Sequence, residues 1–443
     1  MPGVALRVVG FTGLGGGVLM GTVIANYRQI ARLFGEAAGW AGAAALTLED
    51  EALLGRAIAA LEDAESEAEQ AAPGGGSDVL LAPNDQAAAL LQTYLAERAL
   101  EAEKVEQAVA GGLEARFDSN DIAWVRAAIP YIRAKLGRAK CAPRPPFSEE
   151  VATLPNEAKI AVLGDWGTGL YGARPCAETI AGEGGYHALL HLGDVYYSGS
   201  AAEITNNFLD VWAPMRAGSP DSVSRACNSN HEMYSGGGPF FGLTLPAFGQ
   251  ASTAFALAND HWVFAGLDTA YDDHDLDDDQ MRWLRRVVAR LEGRRLVLLS
   301  HHQPFSRLDR QGPKLTRRLA GLLEGHRVFA WYWGHEHLLA LYEPHREWAL
   351  HGRCVGHGGF PYFRKDFGAA ATLPLRDRQV FRVLPGSGEV PGARVLDGPN
   401  DYLGDRADRY GPNGFMRLRL DGTVLHEEVV TPAGVELWQC DLT

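Results

Sequence analysis

Cysteine is scarce, with five in 443 residues: Cys141, Cys176, Cys227, Cys354 and Cys440. They are scattered, odd in number and form no CxxC pair, which excludes a disulfide framework or a zinc knot as the organising element. Reduced, buried thiols and a cytoplasmic setting are the expectation, with a single disulfide as the alternative. Basic residues are in deficit, 41 Lys+Arg against 55 Asp+Glu, for a net charge of -14. That balance excludes a non-specific nucleic-acid binder, which needs a basic face. It does not exclude an anionic small substrate, because a metal site supplies its own positive charge. After residue 25 no apolar run is long enough to cross a bilayer. Val8 to Ala25 is near the lower length limit for a span and is interrupted by Gly10, Gly13, Gly15, Gly16, Gly17 and Gly21. Only Arg7 precedes it, and a small-residue cleavage site is poorly formed, so it makes a weak leader. No stable membrane span is expected. A secreted or anchored form through residues 1–25 is the alternative to the cytoplasm. A calcium loop is also missing. Counted from Asp273 in the acidic run 272–279, the sixth and twelfth positions are Asp278 and Leu284, where an EF-hand needs Gly and Glu. The run reads as a solvated acidic start to a helix.

What is present suits a soluble globular protein: 46% hydrophobic and 22% charged residues. The length allows two or three domains at about 150 residues each. The stiff linker Pro143-Arg144-Pro145-Pro146 divides the chain into 1–146 and 147–443. The first part reads as a mainly helical accessory region of unassigned role. Val4 to Gly10 followed by Gly13-Leu14-Gly15-Gly16-Gly17 has the outline of a dinucleotide-binding strand and loop. It lacks the second strand with a terminal acid, so a glycine-containing apolar helix is expected there. Further helices are expected over 26–34, over 47–71 behind the cap at Thr47, over 84–109 behind Asn84-Asp85, and over 118–136.

From Ala158 the character changes to short apolar runs that end in polar clusters. Lys159 to Leu163 ends in Gly164-Asp165-Trp166-Gly167. Ala188 to His191 ends in Gly193-Asp194-Val195-Tyr196-Tyr197. Then come Asn228-Ser229-Asn230-His231-Glu232, Trp262 to Asp268, Arg295 to Ser300 with His301-His302, and Val328 to Trp333 with Gly334-His335-Glu336-His337. Each alone is a turn or a cap. Together they put carboxylate, amide and imidazole at successive strand ends, where open α/β sheets collect their chemistry. Mixed donors of this kind suit Fe, Zn or Mn rather than Mg or Ca.

These motifs resemble the calcineurin-like metallophosphoesterase superfamily and, within it, the purple acid phosphatase-like branch. That branch's DxG, GDxxY, GNH(E/D), VxxH and GHxH stand here as Asp165-Trp166-Gly167, Gly193-Asp194-Val195-Tyr196-Tyr197, Asn230-His231-Glu232, Val297 to His301, and Gly334-His335-Glu336-His337. The wider superfamily has a His ligand where this chain has Gly167, and Tyr197 is expected to make up the loss. Two features depart from the pattern. Ser229 replaces the usual Gly before Asn230, and His301 follows Val297 by four residues rather than three, with His302 beside it.

The resemblance covers about Lys159 to Phe360 and implies a four-layer α/β/β/α sandwich. It implies that Asp165, Asp194, Tyr197 and His337 hold one metal, and that Asp194, Asn230, His301 and His335 hold a second, with Asp194 bridging. The tyrosine site would take Fe(III), and the other Fe(II), Zn or Mn. His231 and His302 would be the catalytic residues, hydrogen bonding to the phosphate or the leaving oxygen. The implied activity is hydrolysis of a small phosphate monoester by a metal-activated hydroxide. Phosphodiester or nucleotide hydrolysis is the near alternative, and a non-catalytic binding protein the far one.

Overall fold

The computed structural model describes residues 141–443, apart from 170–171, 273, 291–292, 310–312, 363 and 366, together with 84–94 and short stretches of the first 117 residues. Two sheets organise the larger part. The first runs Glu436–Leu442, Val424–Val430, Phe415–Asp421, Glu157–Leu163, Ala188–His191, Val223–Ala226 in spatial order. Its last three strands are parallel to one another, and the three from the C-terminal end join antiparallel. The second sheet has ten strands. At its centre Trp262–Gly266, Arg295–Ser300, Val328–Trp333 and His351–Val355 lie parallel. Ala371–Pro374, Val380–Leu384 and Ala393–Asp397 extend one edge antiparallel, an extension the sequence reading does not anticipate.

The apolar runs are apolar on both faces because both faces are covered. Alternation along each strand sorts the side chains. Ile160, Val162, Leu190, Phe264, Val297, Leu299 and Tyr332 point between the sheets and form one core. Ala161, Leu163 and Leu189 face the other way, onto Ile180 of the Ala173–Glu183 helix and Trp212 and Met215 of the Asp210–Gly218 helix. Leu296, Leu298, Val263 and Ala265 pack on Trp283, Leu284 and Val287 of the Asp278–Ala289 helix. Helix, sheet, sheet, helix are the four expected layers. Each fully buried Leu or Phe contributes about 1.5–3 kcal/mol. A polar clamp also crosses the inter-sheet core. Arg353 Nε lies 2.9 Å from both oxygens of Glu427, and Tyr332 Oη donates to Glu427 Oε1 at 2.6 Å.

The acidic run behaves as a helix start: Asp277 caps it by accepting from Gln280 N, and Asp278 and Asp279 fill its first turn. All five cysteines are unpaired. Among the described residues no helix is long and apolar enough to cross a membrane.

The N-terminal expectation needs correction where it is described. Val4–Val8 is a strand paired antiparallel with Val23–Ile24 and Glu114–Phe117, and Phe11–Thr12 pairs with Val18–Leu19. The helices expected over 26–34 and 118–136 lie outside the described residues. Residues 86–94 are helical as expected, with Ala88 N donating to Asp85 Oδ1 at 2.9 Å.

Candidate metal centre

Parallel strands in register deliver their polar ends to one edge of the sandwich. The Glu157–Leu163, Ala188–His191 and Val223–Ala226 strands carry Asp165, Asp194 and Asn230 there. Arg295–Ser300 and Val328–Trp333 carry His301 and His335 from the facing sheet. Asp165, Asp194, His335 and His337 all adopt positive φ, at 53°, 76°, 72° and 53°. Such backbone is uncommon outside glycine and collects at functional sites.

Asp165, Asp194 and His337 form one group, with ligand atoms within 4.8 Å of each other. At their centre is a phenol, and it belongs to Tyr196. Its Oη lies 2.8 Å from Asp194 Oδ2, 3.2 Å from Asp165 Oδ1 and 3.0 Å from His337 Nε2. Tyr197, the tyrosine expected from motif spacing, follows it directly in the chain. Its amide donates to Glu203 Oε1 at 2.6 Å and its carbonyl meets His231 Nδ1. One isolated bridge anchors this loop. Val195 forms a parallel bridge with Gly167, in which Gly167 N bonds Asp194 O and Tyr196 N bonds Gly167 O, each at 3.1 Å. Val195, in that bridge, packs into the core, and the left-handed Asp194 before it and the turn after it bring Tyr196 back to the Asp194 carboxylate. The bridge also explains Gly167, where a Cβ would stand 2.6 Å from the Asp194 carbonyl oxygen.

The second group gathers on His301. Its Nε2 lies 2.9 Å from Asn230 Oδ1, 3.1 Å from His335 Nδ1 and 3.2 Å from Asp194 Oδ1. Its Nδ1 lies 2.9 Å from the Leu192 carbonyl, which can only accept, so Nδ1 carries the proton and Nε2 presents a lone pair. The carboxylate, the amide oxygen and the His301 lone pair thus converge, with His335 Nδ1 beside them. Asp194 Oδ1 is buried with no hydrogen-bond donor. Such convergence suits a cation, and the neutral imidazoles and mixed donors fit a transition metal. Gly193, at φ 101°, leaves room for this, since a Cβ there would lie 2.7 Å from His301 Nδ1.

His302 does not join that group. Its Nδ1 is 2.9 Å from Thr269 Oγ1, which also accepts the His302 amide at 3.2 Å. Its ring packs 3.8 Å from His274 and 4.8 Å from His335, centroid to centroid, and its Nε2 is buried without a partner. These three histidines form a further group with ligand atoms within 4.8 Å. His274 sits inside the acidic run 272–279, where the surrounding charge masks the imidazole in the sequence. The turn carrying it is built by Asp268, whose Oδ1 accepts from Ala270 N, Tyr271 N and Asn228 Nδ2. Asp268 therefore shapes the loop and stays out of both groups. His231 packs on Tyr196 at 4.7 Å, with Nε2 3.9 Å from Asp194 Oδ2.

Ser229 needs no glycine conformation. Its φ of -135° is extended, and it stands at the start of the Asn230–Met233 turn with its hydroxyl on Glu232. Tyr362 donates to Leu396 O at 3.2 Å and Arg364 pairs with Asp397 at 2.7 Å.

Burial dominates the electrostatics. It lowers His301 to about 4 and pushes His302 and His335 well below the usual range, so all three are neutral near pH 7. Burial and the facing Asp194 raise the Asp165 carboxyl. Burial works against the Asp194 carboxylate too, but hydrogen bonds from His337 and Asp165 help to hold it below the usual carboxylate range. Two such carboxylates sharing one phenol lack positive charge, and a cation would supply it.

Residues 158–339 match the family model for calcineurin-like phosphoesterase. No curated protein matches the chain. Several solved structures align at low identity. The purple acid phosphatase PPD1 from yellow lupin (Lupinus luteus) seeds does so at 15% identity and a TM-score of 0.47, over 67% of this chain and 55% of its own, so the chain spans about half of that protein. GAP50, the anchor in the inner membrane complex of Plasmodium, aligns at 13% identity and 0.44, over 65% and 89%. Vps29 from Entamoeba histolytica aligns at 12% and 0.30, over 64% and 99%.

Proposed function

From the match of residues 158–339 to the calcineurin-like phosphoesterase family, we propose that this chain hydrolyses small phosphate monoesters at a two-metal centre of the purple acid phosphatase kind. The observation that carries the reading is the double engagement of Asp194. Its Oδ2 is 2.8 Å from the Tyr196 hydroxyl, and its Oδ1 is 3.2 Å from the lone pair of His301. One carboxylate facing two separate donor groups is what a bridging ligand requires.

Asp165, Asp194, Tyr196 and His337 would hold one cation, and Asp194, Asn230, His301 and His335 the other. A phenolate ligand favours Fe(III) at the first, and the second set suits Fe(II), Zn or Mn. Bound cations of this kind supply water ionisation near neutral pH and electrostatic stabilisation of phosphoryl oxygens.

The chain's own residues do the rest. Thr269 accepts the His302 amide, and its one hydroxyl proton can reach His302 Nδ1. That leaves a proton on the unpartnered Nε2, a donor for a phosphoryl oxygen. His231 differs. The Tyr197 carbonyl fixes its proton on Nδ1, so it must gain a second proton before Nε2 can donate to a leaving oxygen. His274, packed on His302, faces the same region and joins the substrate-facing set.

Metal analysis paired with turnover of p-nitrophenyl phosphate and bis-p-nitrophenyl phosphate tests the reading. Preference for the monoester with two metals per chain supports it. Preference for the diester moves the activity to phosphodiesters. Bound metals without turnover of either ester would leave a binding protein.

A further inference from the structure

Residues 86–94 belong to the N-terminal region, yet they are packed into the catalytic part of the chain. Ala88, Ala89, Leu90, Leu91 and Thr93 are fully buried. The segment makes two polar attachments more than a hundred residues away in sequence. Thr93 Oγ1 lies 2.7 Å from Ser198 Oγ and 2.9 Å from Glu203 Oε1, and Gln86 Nε2 donates to the Tyr234 carbonyl at 2.9 Å.

Both attachments end next to candidate ligands. A hydroxyl has one proton, and Glu203, as a carboxylate, can only accept. The chain therefore runs from Ser198 O–H to Thr93 Oγ1, and from Thr93 O–H to Glu203. Glu203, 7% exposed, also accepts from Tyr197 N at 2.6 Å, Ser198 N at 3.1 Å and Ser200 N at 2.9 Å. No described cation pairs with it, so its charge rests on these donors. The loop they fix carries Tyr196 directly before Tyr197. On the other side, the Tyr234 hydroxyl accepts from Asn230 Nδ2 at 3.0 Å, which aims Asn230 Oδ1 at His301.

We propose that residues 85–94 are a positioning segment of the catalytic unit, with Thr93 setting the Tyr196 loop and Gln86 setting the Asn230 turn. The proposal rests on the metal-centre reading above. Thr93 acts through Glu203 and touches no candidate ligand itself. Its loss should loosen metal retention and turnover by the size typical of groups behind metal ligands, about 10-fold.

The test compares Thr93→Val, which keeps the shape and removes the hydroxyl, with Thr93→Ser, which restores it, in the full chain. Metal release to EDTA is followed together with kcat and KM for p-nitrophenyl phosphate. Thr93→Val should release metal about 10-fold faster and lose kcat about 10-fold with little change in KM, and Thr93→Ser should recover both. A lower melting temperature with unchanged metal release and kcat overturns the proposal. If the wild type binds metal but turns over neither ester, the functional reading fails, and metal release alone still decides the role of Thr93. If Thr93→Val does not fold, Gln86→Met takes its place. Unchanged metal retention and kcat there overturn the proposal, and faster release supports it.

Discussion

The hydroxyl of Tyr196 sits 2.8 Å from Oδ2 of Asp194, two residues earlier in the same chain. The bridge between Val195 and Gly167 anchors this loop, and Asp194, at φ 76°, stands just before it. Motif spacing points instead to the residue three after the aspartate. The two tyrosines are adjacent, so substitution separates them.

Tyr196→Phe should remove the visible charge-transfer band of iron-loaded protein and lower kcat by about 10-fold or more. Tyr197→Phe should keep the band, because the Tyr197 backbone rather than its ring makes the bonds to Glu203 and His231. Absorption spectra of the two loaded variants decide the point. Loss of the band in Tyr197→Phe alone returns the ligand role to that residue.

His302 and Thr269 should act together. His302→Ala should reduce kcat by about 100-fold, the lower range for proton-donating groups, while metal content stays at the wild-type level. Thr269→Val should give a smaller loss in the same direction, because it frees the imidazole to take the other tautomer. The double variant should be no worse than His302→Ala. Additive losses would show that Thr269 serves something other than this ring.

Much of the site was legible because its chemistry lies in short polar clusters behind apolar strands. Asp165, Asp194, Asn230, His301, His335 and His337 come together as the spacing suggested, and His301 rather than His302 meets Asn230. Three features were not legible, each for a physical reason. The placement of the Tyr196 hydroxyl depends on the conformation of the loop after Asp194, which spacing does not encode. His274 lay among aspartates whose charge suggested only solvent. Thr93 is tied to Ser198 across 105 positions, and a lone threonine in a helix gives no sign of its distant partner.

Acid should destabilise the fold through two histidines outside both ligand groups. His191 lies among Trp166, Phe208 and Trp212, and burial lowers it to about 3, as it does His357. Neither ring nitrogen of either residue has a partner. Unfolding restores an ordinary value near 6.5, so below that pH the unfolded chain binds more protons. Their stabilising contribution is full above about pH 6.5 and is lost as pH falls toward 3. By pH 5 the loss is roughly 2 kcal/mol for each. Urea midpoints at pH 7 and pH 5 measure it. His357→Leu should shrink the difference between the two midpoints, and an unchanged difference would locate the acid sensitivity elsewhere.

The clamp between the sheets gives the last prediction. Arg353 is 4% exposed and Glu427 is fully buried, and their contact is bidentate at 2.9 Å. Burying both charges cost hydration that their attraction only partly returns, so the pair fixes how the sheets register more than it adds net stability. Removing one partner is a different matter. Arg353→Met leaves a carboxylate in the core with only the Tyr332 hydroxyl on it, and should cost about 3–5 kcal/mol. Arg353→Met combined with Glu427→Leu removes both charges. The loss should then fall to about 1–3 kcal/mol, the cost of stranding the Tyr332 hydroxyl. Chemical denaturation of the two single variants and the double variant completes the cycle. If Arg353→Met alone cost less than about 1 kcal/mol, water or a rearranged side chain would have to reach Glu427, and the sheets would be held by their apolar faces alone.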